Sequence, residues 1–225
     1  MKKICRSFAV VLLSITISQS SYAQQFNKIT QNVGGNILRI KKANGDDVVG
    51  NPYLLDVWTV GNVKFTDSTY AANKELKYDI LENLLVVRGD GDVENTFKDP
   101  VSEFTLSVPG KVRLFKNGFT GVSNISHETF FEVLYNGKFK LLKREVKSIV
   151  ESKGYNTATV TRKIEGVTTY YIAKPDNSVV LVKNNEKSIL AAMGKPELSQ
   201  YVKENKLNLK NEEDIIKLLT YFSSL

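Results

Sequence analysis

Between about residue 57 and residue 183 the chain alternates short β-branched and aromatic runs with glycine, asparagine and proline turns, the pattern of a β-rich protein rather than a helical one. Val57 to Phe65, interrupted at Gly61-Asn62, reads as a first pair of short runs. Leu76 to Ile80 and Leu84 to Arg88 flank Leu81-Glu82-Asn83, a connection of hairpin length. Phe104 to Val108 ends at the turn dipeptide Pro109-Gly110, and Val112 to Phe115 resumes before Asn117-Gly118. Phe130 to Leu142 predicts a hairpin around Asn136-Gly137, two residues suited to a type I′ turn. That turn would pair Tyr135 with Lys138, Val133 with Lys140 and Glu132 with Leu141. Both faces of the ribbon then carry apolar groups, Phe130, Leu134, Phe139 and Leu141 on one and Phe131, Val133, Tyr135 and Leu142 on the other, which calls for cover on both sides. Thr168 to Ala173 and Ser178 to Val182 around Pro175-Asp176-Asn177 predict one more hairpin.

Near Asn185 the period switches to that of a helix. Asn185 is placed to cap a helix through Met193 that stops at Gly194. Pro196 opens a second with the stripe Leu198, Tyr201 and Val202. Asn211, followed by Glu212, Glu213 and Asp214 at the positive end of the helix dipole, opens a third. The third stripe, Ile215, Leu218, Leu219 and Phe222, has the spacing of a face that packs on its own domain. The expected class is therefore mainly β with C-terminal helices (α+β): an antiparallel β-meander forming a curved sheet, sandwich or half-open barrel over residues 24–183, and a helical C-terminal subdomain over 184–225 packed on it. Gly89 to Pro100 reads as the most loop-like internal stretch.

Residues 1–23 have the build of a cleavable secretion signal. Lys2, Lys3 and Arg6 precede an apolar run from Phe8 to Ile17, and the small residues Ser21 and Ala23 set the cut before Gln24. The run is shorter than the roughly 20 apolar residues of a membrane span. Cys5, the one cysteine, leaves with the signal and is misplaced for lipid attachment. The 202 residues from Gln24 to Leu225 then hold no thiol, so disulfides, thiolate metal sites and thiol nucleophiles are excluded. The expected location is periplasmic or secreted, with the mature chain soluble.

That mature chain carries 28 Lys and Arg against 24 Asp and Glu, unevenly: residues 24–137 hold 12 basic and 14 acidic side chains, and 138–225 hold 16 and 10. The basic second half is compatible with peripheral contact with a membrane surface, a glycan or an acidic partner, although a solvated lysine face is the plainer explanation. Scattered lysines without stacking motifs, in an exported chain, argue against nucleic acid.

Candidate chemistry is sparse. His127 is the only histidine, so a site built on two histidines is excluded, and the mature chain has no GxSxG elbow, SxxK motif or phosphate-cradling loop. Asp90, Asp92, Glu94 and Asp99 resemble hard oxygen ligands. They depart from the EF-hand pattern, with Asn95 at the glycine position and Val101 at that of the bidentate glutamate. No catalytic residue, metal ligand or cofactor site is assigned. Tyr53 and Trp58 are placed to line a ligand cleft in a curved sheet, against the plainer reading that aromatic side chains fill a β core.

The runs Gly50 to Gly61, Leu76 to Asp79, Phe131 to Lys138 and the tail from Glu197 to Phe222 resemble an uncharacterised family of exported proteins of Bacteroidota. The resemblance implies an envelope location and brings no activity, cofactor or catalytic residue. The leading expectation is a non-enzymatic binding or scaffold protein of the periplasm or outer-membrane face, with an envelope protein, glycan or lipid as partner. Two alternatives stand beside it: a carrier of lipid or another apolar ligand in a half-open barrel around Trp58, and a hydrolase using carboxylates such as Asp79, Glu132 or Asp90.

Overall fold

The structure is a computed structural model that describes residues 29–32, 36–41, 48–123, 125–153 and 160–225, so the secretion signal expected over 1–23 lies outside the described residues. Among the described residues thirteen strands form one sheet: β1 (Ile29–Asn32), β2 (Ile37–Lys41), β3 (Val48–Val49), β4 (Thr59–Phe65), β5 (Tyr70–Asp79), β6 (Leu84–Arg88), β7 (Glu94–Phe97), β8 (Val101–Val108), β9 (Lys111–Lys116), β10 (Phe131–Asn136), β11 (Lys140–Lys153), β12 (Val160–Ala173) and β13 (Val179–Val182). Their order is β1-β2-β7-β6-β5-β4-β8-β9-β10-β11-β12-β13. Every pairing on that path is antiparallel, and β3 joins β12 in parallel, making the sheet mixed. Three helices follow: α1 (Glu186–Met193), α2 (Ser199–Glu204) and α3 (Glu212–Ser224). The molecule is mainly β with C-terminal helices.

One connection determines the shape of the sheet. Phe97 ends β7 and Val101 begins β8, yet four ladder steps separate these strands. Four steps in a flat sheet span roughly 19 Å, whereas four residue spacings reach about 14 Å at most. The sheet must curl until the two strand ends meet, and it bends at irregularities that concentrate curvature: breaks in register at Gly61/Val63 and Lys64/Phe65. Gly61 makes this possible, since a Cβ there would overlap the Thr105 carbonyl oxygen of the neighbouring strand. Across the gap the Lys147 N–H donates to the Ile80 carbonyl at 3.2 Å, and the Lys147 ammonium donates to the Tyr53 carbonyl at 2.5 Å, so β11 closes over the end of β5.

The concave side of the curl is filled by Val63, Leu76, Tyr78, Leu85, Phe104, Leu106, Phe115 and Phe130. Phe104 stacks on Phe115 at 4.7 Å and meets Phe130 edge-on at 5.0 Å, while Tyr78 meets all three rings at 5.2–6.0 Å. A second core lies between the helices and β11 to β13, where Ile189, Ile215, Leu218, Leu219 and Phe222 pack on Phe139, Leu141, Ile172 and Val182. The opposite face of the same strands is covered by the loop after β9, with Phe119 against Phe131 and Tyr171. Cover thus lies on both faces, as the ribbon pattern requires.

Three readings change. Within Val57 to Phe65, Thr59–Phe65 is one strand with a bulge rather than two runs. Glu94 to Phe97 is a strand inserted between β2 and β6, so Gly89 to Pro100 is only partly loop. The hairpin at 130–142 pairs Tyr135 with Leu141 and Glu132 with Lys143, a register displaced from that of a type I′ turn, and neither Asn136 nor Gly137 has positive φ. Docking of α3 outweighs the local turn preference. Phe139 turns inward onto Phe222 at 5.4 Å, Lys138 N donates to Ser223 Oγ, and the Tyr135 hydroxyl reaches the same oxygen at 3.1 Å.

Candidate functional site

Where β7 meets β8 the curl leaves a mouth, and the mouth holds a cavity of about 570 Å³. The start of β6, the end of β7, the connector 98–100 and the start of β8 form one wall; the chain between β9 and β10 forms the other. Its floor is apolar: Leu85 and Phe130 are buried, and Phe97 and Val101 partly so. Its rim carries Thr66, Lys98, Asp99, His127 and Glu128, all exposed.

Three asparagines fix this mouth. Asn83, at a φ of 53° that asparagine tolerates better than most residues, accepts from the Tyr78 hydroxyl at 2.7 Å and from Phe130 N at 3.2 Å, and donates to the Glu128 carbonyl at 2.9 Å. Asn117 donates to the Val101 carbonyl at 2.7 Å. Asn36 accepts from the N–H groups of Lys98 and Asp99 at 3.1 and 2.8 Å. Gly118 N donates to the His127 carbonyl at 2.8 Å, holding the histidine on the rim. With both walls tied by these half-buried and exposed bonds, the cavity is preformed.

A second polar cluster crosses the sheet. Both oxygens of Glu132 accept from Arg113, at 2.8 and 2.7 Å, and Arg113 also reaches Glu145 at 3.0 Å. Lys143 then bridges toward Glu212 at 3.2 Å, and the Tyr170 hydroxyl donates to Glu212 at 2.7 Å. Burial pushes the Arg113 guanidinium down, but its bonds and charges with Glu132 and Glu145 outweigh this and hold it above the ordinary arginine value. Tyr170 is pushed up to about 12 by burial and by Glu212.

Tyr53 and Trp58 do come together, around a cation. Lys77 Nζ lies 4.9 Å from the Tyr53 ring and 4.8 Å from that of Trp58, and the Arg88 guanidinium lies 5.9 Å from Trp58. Tyr53 is buried with Ile40 and Val86, and its hydroxyl donates to Glu94 at 2.5 Å. Burial, then Glu94, raises its pKa well beyond the ordinary tyrosine range. Neither residue lines the mouth cavity.

The candidate carboxylates are held by structural partners. Asp79 is buried and accepts from Leu81 N and Glu82 N, closing the β5–β6 turn. Glu132 is engaged by Arg113, and Asp90 stands exposed in a 3-10 turn where Asp92 pairs with Arg88. Among the described residues no group of three or more His, Cys, Asp or Glu side chains is arranged to hold a metal, and no helix is long and apolar enough to cross a membrane. His127 reaches the rim with Asp99 and Glu128 as neighbours, which sequence reading missed.

Known proteins offer no shortcut to the class of this mouth-bearing curled sheet. The chain matches no family model, no curated protein and no solved structure.

Proposed function

We propose that this is a non-enzymatic binding protein of the periplasm or outer-membrane face, which takes an envelope-derived ligand in the mouth of its curled sheet. The carrying observation is the cavity itself: preformed, apolar at the floor, polar at the rim and within the size of small-molecule sites. The envelope location rests on the secretion-signal pattern of residues 1–23 and on the resemblance to exported proteins of Bacteroidota. A carrier for long acyl chains is less well supported, because the rings of Tyr78, Phe104, Phe115 and Phe130 occupy the interior behind the floor. A carboxylate hydrolase is less well supported too. A general acid must present a proton to substrate, and both Glu132 oxygens face Arg113 while one Asp79 oxygen serves two backbone donors.

Native mass spectrometry of protein isolated from the envelope without detergent tests the reading. Wild type is expected to retain a small-mass component, and Thr66→Trp, which fills the mouth from an exposed position, is expected to lose it with the fold intact. Equal retention by both proteins would move the site elsewhere. Turnover of any member of an esterase, glycosidase and peptidase panel would remove the non-enzymatic reading.

A further inference from the structure

The lining of the mouth also speaks to the class of ligand, an inference that rests on the binding reading above. We propose that the cavity takes a neutral saccharide, seated with the apolar face of a sugar ring on Phe97 and its hydroxyls on Asp99 and Glu128. Three features select this chemistry. The floor of Leu85, Phe97, Val101 and Phe130 offers apolar surface that a fully polar ligand could not use. The rim sets Lys98 against Asp99 and Glu128, so no single sign of charge dominates and neither a strongly anionic nor a strongly cationic ligand gains from it. Third, the rings of Tyr78 and Phe104 pack behind Phe130, so the floor does not open into the interior core for a long acyl chain to enter.

A sugar ring matches all three, with one apolar C–H face, hydroxyl groups around its edge and no net charge. Hydroxyls donating to Asp99 and Glu128 make hydrogen bonds to charged acceptors, the stronger kind. The His127 ring and the Thr66 hydroxyl supply further rim partners, whereas Asn83 and Asn117 are engaged in holding the walls. Because both walls are fixed beforehand, binding orders little of the protein.

His127 is the only histidine of the chain and stands at the rim, so its ring resonances report on this cavity alone. The test is a titration of the full chain, followed by NMR at the His127 ring and the Phe97, Val101 and Gly118 amides. The probes are cellobiose, maltose and N,N′-diacetylchitobiose, with decanoate and inorganic phosphate in parallel. At least one saccharide is expected to move these resonances together, decanoate and phosphate are not, and the exposed pair D99N/E128Q is expected to weaken the response about tenfold or more. Circular dichroism of that variant is expected to match wild type. Movement with decanoate or phosphate but with no saccharide overturns the saccharide assignment and leaves the binding reading standing. No movement with any probe also overturns it, and the binding reading falls as well if the isolated protein retains no small-mass component.

Discussion

Two glycines separate what space demands from what backbone conformation demands. Gly61 has ordinary φ, but a Cβ would run into the Thr105 carbonyl oxygen and lie 2.9 Å from a Leu76 methyl. Gly194 has φ of 64° at the end of α1 and nothing within 4 Å of its would-be Cβ. Gly61→Ala is therefore expected to cost more than about 2 kcal/mol, as overpacking against backbone that has nowhere to move. Gly194→Ala is expected to cost about 1 kcal/mol, the left-handed conformation alone. Urea midpoints at unchanged m-value measure both, and a costlier Gly194→Ala would contradict the placement of Gly61 at the bend. From the sequence, Gly194 was legible as a helix stop because capping is local. Gly61 reads there as a mere interruption, because the strand that crowds it, β8, lies some forty residues further on.

Among the elements, α3 shows how the helices are tied to the sheet. Its first residue, Glu212, would be pushed up by burial, yet the Tyr170 hydrogen bond and the Lys143 charge prevail and hold it below the ordinary glutamate value of 4.5. A carboxylate lowered in the fold contributes stability that is present above its unfolded value and lost as pH falls through its folded one. Tyr170 runs the other way: raised from 10.0 to about 12, it contributes below its unfolded value and loses that contribution as pH climbs from 10.0 toward 12. Acidification from 4.5 downward is expected to speed hydrogen exchange in α3 ahead of the β5–β6 hairpin. Glu212→Gln is expected to flatten that acid dependence, and unchanged dependence would sever the link to Glu212. The helices themselves were readable. The Asn185 side chain accepts from Ser188 N as expected, and Ile215, Leu218, Leu219 and Phe222 are all buried. Asn211 holds the cap position of α3 without a side-chain cap bond. The hairpin at 130–142 was misread because its turn answers to α3, more than eighty residues away, rather than to Asn136-Gly137.

The whole molecule is governed by its curl. A mainly β chain with a curved sheet and C-terminal helices could be read from runs and turns, since each is a local signal. The cavity could not. It exists only because a three-residue connector joins strands four ladder steps apart, and strand order is invisible in a linear pattern. Tyr53 and Trp58, singled out as candidates to line a ligand cleft, instead share Lys77 away from that mouth, while Phe97 and His127 reach it through topology alone. In ladder order β6 and β10 stand five steps apart, roughly 24 Å if the sheet were flat. In the curled molecule the β5–β6 turn touches the segment before β10 through the bond from Asn83 to Glu128. Cysteines at Glu82 and Glu128 in a Cys5→Ser background, treated with a short bis-maleimide, distinguish the two arrangements. The curl requires rapid, concentration-independent cross-linking within one chain, and pairs that stay unlinked in the folded protein would contradict the curl, and with it the cavity.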